Sequence, residues 1–174
     1  MGKIILILGG ARSGKSTYAL ELAKKYKRVA FVATCQGLDK EMKQRIKLHQ
    51  ESRPRSWQTF EEPKNVDLLL KKLVNKFDCI IIDCLTLLVS NLLLAGGGQK
   101  TIEAKISKAL AELKNKKTNA IIVSNEVGLG IVPEHKLGRD FRDIAGKVNQ
   151  AVAKEATEVF FTISGIPTRI KGGK

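Results

Sequence analysis

Residues Gly9-Gly10-Ala11-Arg12-Ser13-Gly14-Lys15-Ser16 complete the pattern G-x-x-x-x-G-K-[ST] directly after an uninterrupted apolar run, Ile4-Ile5-Leu6-Ile7-Leu8. No other stretch constrains the fold so tightly. Such a loop turns its backbone N–H groups onto phosphate oxygens when a strand delivers it and a helix leaves it, because the helix start adds further unpaired donors. The glycines allow the tight wrap, Lys15 brings positive charge to the β- and γ-phosphates, and Ser16 places a hydroxyl on Mg²⁺. The chain must therefore open strand, loop, helix, with a nucleotide phosphate at the end of its first strand.

The remaining sequence repeats that alternation. Strands are expected at 3–8, 28–34, 56–60, 78–83, 119–125, 158–164 and 167–171, and helices at 15–26, 39–52, 65–76, 85–94, 101–116 and 138–156. Several strands are continuous apolar runs, as expected where helices cover both faces of a sheet. Asp39, Asn65 and Thr101 stand where N-caps belong, and Pro54 limits the second helix. Alternating elements imply a mostly parallel sheet with right-handed crossovers. The expected fold class is α/β, P-loop NTPase-like (RecA-like), with a mostly parallel seven-stranded sheet and helices on both faces. Its 174 residues suit one domain spanning 1–174, and Gly96-Gly97-Gly98 reads as a loop, since a boundary there would split the sheet.

Lys and Arg number 31 against 17 Asp and Glu, a net charge of +14, which suits either a polyanionic partner or a lysine-rich solvated surface. Residues 1–60 hold 13 basic and 4 acidic side chains, so the anion belongs to the first third. The aromatic residues do not alternate with basic ones as in single-strand binders, so no nucleic-acid partner is expected. Cys35, Cys79 and Cys84 lack metal-ligand spacing and suggest a reducing, cytoplasmic setting. The apolar stretch 79–95 is broken by Asp83, Thr86, Ser90 and Asn91, so stable membrane insertion is not expected.

Beyond the phosphate loop, Asp83 after Ile80-Ile81-Ile82 can hold Mg²⁺ at the sheet edge, or can cap helix 85–94. Asn125-Glu126 follow another apolar strand and can orient water, metal or substrate, with a structural loop contact as the alternative for Glu126. Arg45 and His49 on helix 39–52 and Arg53 just beyond it recur every four residues, with Pro54 drawing Arg53 toward an extended conformation. Basic neighbours would keep His49 neutral and nucleophilic toward a phosphate; a core histidine flanked by solvated arginines fits the same spacing. His135 reads as surface. Residues 138–143 can line a binding site or an oligomer interface, or simply begin a helix.

Taken in order, Gly9–Ser16, Ala33-Thr34-Cys35, Arg45-Ile46 through His49, Arg53-Pro54, Trp57, the run Asn125-Glu126-Val127-Gly128 with Gly130-Ile131-Val132-Pro133, and Phe141-Arg142-Asp143-Ile144-Ala145-Gly146 with Val148-Asn149-Gln150 closely resemble the bifunctional adenosylcobinamide kinase/adenosylcobinamide-phosphate guanylyltransferase family of cobalamin biosynthesis. The resemblance implies two reactions. ATP or GTP phosphorylates adenosylcobinamide, with Lys15 catalytic and Ser16 and Asp83 as metal ligands. GTP then guanylylates His49, which passes GMP to adenosylcobinamide phosphate. It also implies nucleotide contacts at Gly9, Gly10, Ala11, Arg12, Ser13, Gly14, Lys15, Ser16, Ala33, Thr34, Cys35, Gln50, Glu51, Ser52, Arg53, Glu61 and Asp83, and a homotrimer with sites between subunits. Two positions depart from the family pattern: Leu48 stands where a second histidine can precede the nucleophile, and Asp83 where relatives carry Glu. Two other readings of the phosphate loop remain: a kinase of another small hydroxyl substrate, and a nucleotide-switched RNA-binding or regulatory ATPase.

Overall fold

The computed structural model describes residues 1–37, 40, 44, 47, 50, 51 and 53–173. Of the helix expected at 39–52, Lys40, Gln44, Lys47, Gln50 and Glu51 are helical and exposed, whereas Asp39, Arg45, His49 and Ser52 lie outside the described residues.

Seven strands form one sheet: β1 (Ile4–Gly9), β2 (Val29–Ala33), β3 (Gln58–Glu61), β4 (Cys79–Asp83), β5 (Asn119–Asn125), β6 (Glu158–Ile163) and β7 (Ile166–Lys171). Their order is β3-β2-β4-β5-β1-β6-β7, parallel throughout except for β7, which returns antiparallel to β6. The return is a two-residue turn in which Ser164 (φ 51°) and Gly165 (φ 84°) are both left-handed, matching the twist of the paired strands. The helices are α1 (Lys15–Ala23), α2 (Val66–Leu73), α3 (Leu85–Leu94), α4 (Gln99–Leu113) and α5 (Lys136–Glu155).

Alternation along the strands divides the core. Leu6, Ile80, Ile82 and Ile122 face α2, α3, α4 and α5, and pack on Leu70, Val89, Ile102 and Val152. Ile7, Phe31, Ile81 and Val123 point the other way, where α1 contributes Ala19 and Ala23. Both faces of the central strands are thus dry, which accounts for their unbroken apolar runs.

Three helix starts differ from the sequence expectation. Thr101 is not an N-cap: α4 starts at Gln99 after Gly98, and Gln99 Nε2 donates to Glu103 Oε1 at 2.8 Å, adding support one turn on. Asn65 does precede α2, but its side chain makes no cap; its Oδ1 accepts from Lys105 Nζ at 2.8 Å instead. α5 starts at Lys136, ahead of the expected 138, and His135 occupies its N-cap position. A Lys136–Asp140 ion pair at 2.6 Å, and Arg139 donating to the carbonyls of Pro133 and Glu134, tie down that first turn.

The sheet order places β5 between β4 and β1, with Asn125 opposite Gly9 and Val123 opposite Asp83. The ends of three adjacent parallel strands therefore bring the phosphate loop, Asp83 and Asn125 to one edge, the usual ligand position in an open α/β sheet.

Candidate active site

The phosphate loop leaves β1 through Gly9 and enters α1 at Gly14, whose φ of 93° suits glycine; Arg12 is also left-handed at φ 55°. The β6–β7 turn braces the loop, since the Gly165 N–H donates to the Ser13 carbonyl at 2.9 Å. Lys15 is buried at 6% exposure, and its ammonium donates to the Gly10 carbonyl and, at 3.3 Å, to Ser13 Oγ. Burial lowers its pKa, and the nearby Asp83 carboxylate opposes that shift. An ammonium held inside its own loop is already aimed at any phosphate that enters the loop.

A cavity of about 570 Å³ opens beside the loop, within the range of small-molecule sites. Ala11, Arg12, Ser13, Gly14, Lys15, Ser16 and Thr17 form one wall. Ala33, Cys35, Arg53, Glu61, Asp83 and Asn125 meet it from four strands and their loops. Of the expected nucleotide contacts, Gly9 and Gly10 do not line this cavity, and the Gly10 carbonyl accepts from the Lys15 ammonium. Gln50 Nε2 reaches Glu61 Oε1 at 3.3 Å, Glu51 is exposed on its helix, and Ser52 lies outside the described residues, as does the expected nucleophile His49.

Thr34 is fully buried and its hydroxyl is spent on the protein. It donates to the Cys84 carbonyl at 2.7 Å and accepts from the Cys84 N–H at 2.8 Å, while the Thr34 N–H donates to the Asp83 carbonyl at 3.1 Å. Thr34 thus fixes the backbone beside Asp83. Arg53 stacks its guanidinium 3.6 Å from the Phe31 ring centroid and donates to Thr59 Oγ1 at 3.3 Å. Burial lowers its pKa, opposed by Asp83 and Glu61, so both acids share its field. Burial also pushes the Cys84 thiol up to about 12, which makes it an inert part of the wall.

Asp83 ends β4, and Cys84 takes the N-cap position of α3, so the carboxylate faces the cavity and is not a helix cap. Glu126 follows the structural alternative, its Oε1 accepting from the Gly128 N–H at 2.9 Å. Residues 138–143 lie in the first half of α5, and Asp140, Arg142 and Asp143 also line a second, open cavity of about 780 Å³.

The donor set fits Mg²⁺. The hydroxyl of Ser16 and the carboxylate of Asp83 line the same cavity, and Mg²⁺ commonly takes one or two protein oxygens, completing its octahedron with water and phosphate. Among the described residues no three His, Cys, Asp or Glu side chains cluster as a self-sufficient metal site.

Sequence reasoning missed the apolar wall formed by Phe31, Leu87 and Val123. Its signal was period two: Phe31 shares a strand face with Ala33, and Val123 with Asn125, so each lies one pleat behind a named site residue.

Residues 5–170 match the family described as cobinamide kinase / cobinamide phosphate guanyltransferase. The chain belongs to this family. It is 41% identical over 180 residues to the bifunctional adenosylcobalamin biosynthesis protein CobU of Escherichia coli (strain K12), covering 97% of this chain and 99% of that one. Its identity to the bifunctional adenosylcobalamin biosynthesis protein CobP of Pseudomonas aeruginosa is 42% over 170 residues, covering 96% of each. Solved structures share the fold. A type III secretion system ATPase superposes with a TM-score of 0.63 at 11% identity, over 92% of this chain and 51% of that one. A KaiC-like protein from Pyrococcus horikoshii OT3 gives 0.54 at 16% identity, over 92% and 70%. The family's chain is thus built on a P-loop NTPase-like α/β sheet.

Proposed function

We propose that this family member works as a single unit over residues 1–174, first phosphorylating adenosylcobinamide and then transferring GMP to the product. The observation that carries this reading is one cavity holding the complete phosphate loop, Asp83 and Arg53, in a chain matching the family over nearly its whole length.

In the first step, the aminopropanol hydroxyl of adenosylcobinamide attacks the γ-phosphorus of ATP or GTP, and the bond to the β-phosphate oxygen breaks, releasing the nucleoside diphosphate. Phosphoryl transfer of this kind needs positioning and charge stabilisation more than covalent help. The loop N–H groups and Lys15 hold the β- and γ-phosphates. Arg12 and Arg53 add positive charge at the cavity rim. Bound through Ser16 and Asp83, Mg²⁺ would neutralise charge on the phosphate oxygens. In the second step, a His49 ring nitrogen attacks the α-phosphorus of GTP and pyrophosphate leaves. A phosphate oxygen of adenosylcobinamide phosphate then displaces His49, giving adenosyl-GDP-cobinamide.

The unit is proposed to act in the cytoplasm without nucleic acid; among the described residues no helix is long and apolar enough to cross a membrane. A homotrimer is proposed as the working form, and the exposed Leu129, Ile131 and Val132 on the loop after β5 suit a subunit contact.

Incubation with α-labelled and γ-labelled GTP tests the scheme. Acid-labile α-label should appear on the wild type and vanish in His49→Ala, which retains corrinoid phosphorylation, whereas Lys15→Ala should impair both nucleotide steps. Corrinoid phosphorylation without an α-labelled adduct would overturn the guanylyl half. Nucleotide turnover stimulated by RNA and not by corrinoid would overturn both.

A further inference from the structure

Three polar side chains are buried where β5, α3 and α5 meet: Thr86 at 4%, Ser124 at 1% and Asn149 at 4% exposure. Around them lies apolar core, including Ile122, Leu88, Ala145 and Val148. Burying three polar groups there is costly unless each is satisfied.

Counting protons shows how they are satisfied. The Asn125 N–H donates to Thr86 Oγ1 at 2.6 Å. Ser124 Oγ donates its single proton to Asn149 Oδ1 at 2.7 Å. The 3.1 Å contact between Thr86 Oγ1 and Ser124 Oγ must therefore take its proton from Thr86. Asn149 Nδ2 closes the circuit by donating to the Asn125 carbonyl at 3.2 Å. The opposite amide orientation would set Asn149 Oδ1 against that carbonyl, acceptor to acceptor. The four bonds form a closed ring running in one direction, in which each bond polarises the next.

Both backbone groups of Asn125 belong to the ring, and a fifth bond, the Glu126 N–H to the Gly9 carbonyl at 3.0 Å, ties the next residue to the phosphate-loop strand. The backbone of Asn125 is fixed on every side. Its side chain is not used by the ring: pleating turns Ser124 toward α3 and α5, and turns Asn125 with Val123 to the opposite face, into the nucleotide cavity. There it lies between the end of β4, which carries Asp83, and the end of β1, which carries the loop of Lys15. Lys15, Asp83 and Asn125 line one cavity, so a terminal phosphate held by Lys15 on the side of Asp83 would lie within the space that Asn125 borders.

We propose that Thr86, Ser124 and Asn149 are positioning residues whose ring aims the Asn125 carboxamide at the terminal phosphate of the bound nucleoside triphosphate. Asn125 thereby discriminates triphosphate from diphosphate, and α3 and α5 are mechanically joined to the phosphate site. The inference rests on the nucleotide-binding part of the function proposed above and is independent of the corrinoid substrate.

Calorimetric titration of the full-length protein with GTP and with GDP, each with Mg²⁺, tests it without any corrinoid. Asn125→Ala should lower the preference for GTP over GDP about tenfold, the scale of one hydrogen bond to a charged group, with GDP affinity retained. Thr86→Val, which keeps the shape and removes the hydroxyl, should lower the same ratio, and Thr86→Ser should restore it. Ser124→Ala carries the same expectation should Thr86→Val fail to fold. A merely structural role would weaken GTP and GDP together, and that result would overturn the positioning assignment. An unchanged ratio in Asn125→Ala would overturn the contact with the terminal phosphate. A wild type that discriminates GTP from GDP but does not turn over corrinoid would count against the proposed function alone.

Discussion

Replacing Thr34 with Val separates direct nucleotide contact from support of Asp83. The side chains are nearly isosteric, and position 34 is fully buried, so shape and packing persist while one hydroxyl is lost. That hydroxyl bridges the N–H and carbonyl of Cys84. The carbonyl keeps a second partner, the Leu88 N–H at 3.2 Å. The N–H is left buried without one, at a cost of about 1–3 kcal/mol, and the lost bond to the carbonyl adds about 0.5–1 kcal/mol. The extra buried methyl returns about 0.8 kcal/mol. The net destabilisation is about 1–3 kcal/mol, which lowers a urea midpoint by roughly 1 M for an m-value of about 2 kcal/mol/M. Urea unfolding followed by circular dichroism measures it, with Thr34→Ser expected to remain close to wild type. Because the disturbed peptide adjoins Asp83, GTP affinity should fall in the presence of Mg²⁺ and hold in EDTA. An unfolding free energy unchanged within about 0.5 kcal/mol would refute the energetic argument. An affinity loss independent of Mg²⁺ would instead make Thr34 a direct nucleotide contact.

Gly9→Ala should abolish nucleotide binding in a titration and lower stability by more than about 2 kcal/mol, because a Cβ there would overlap the Thr162 carbonyl and press on Ser13 Oγ at 2.7 Å, at a φ of +151°. Alkaline pH should destabilise the fold through two thiols, since burial raises Cys79 and Cys84 from 9.0 to about 12. A raised folded pKa means that this contribution is whole below pH 9 and is lost as pH rises toward 12, by about 1.4 kcal/mol per thiol at pH 10. The double variant Cys79→Ala/Cys84→Ala should flatten that slope in denaturant titrations at pH 8 and pH 10; an equal slope would refute it.

The phosphate loop and the strands around it were legible because their signals are local: a motif of fixed spacing, and apolar runs too continuous for a half-exposed sheet. Asp83 could be read from its place after Ile80-Ile81-Ile82, and the sheet order then explained why it meets Lys15. The cap expected at Thr101 failed because the Gly-rich segment before Gln99 lets the helix start early, and the cap at Asn65 failed because Lys105, 40 residues away, takes the side-chain oxygen. Least legible was the ring at Asn125. Thr86, Ser124 and Asn149 are ordinary polar residues in helix or strand, and their chemistry exists only after three elements have packed, through bonds that span up to 39 residues. Thr34 shows the same limit, since local sequence marks it as a site residue while its hydroxyl is committed 50 residues away.

The brace between Gly165 and Ser13 sets an order of events during synthesis. The phosphate loop leaves the ribosome well before the turn that holds it and the strand β6 that flanks β1, which are translated some 150 residues later. A nascent chain lacking the β6–β7 hairpin exposes an open edge on β1 and carries a loop with nothing behind it. Full bracing of the phosphate loop therefore waits until the β6–β7 hairpin has been translated and has paired with β1.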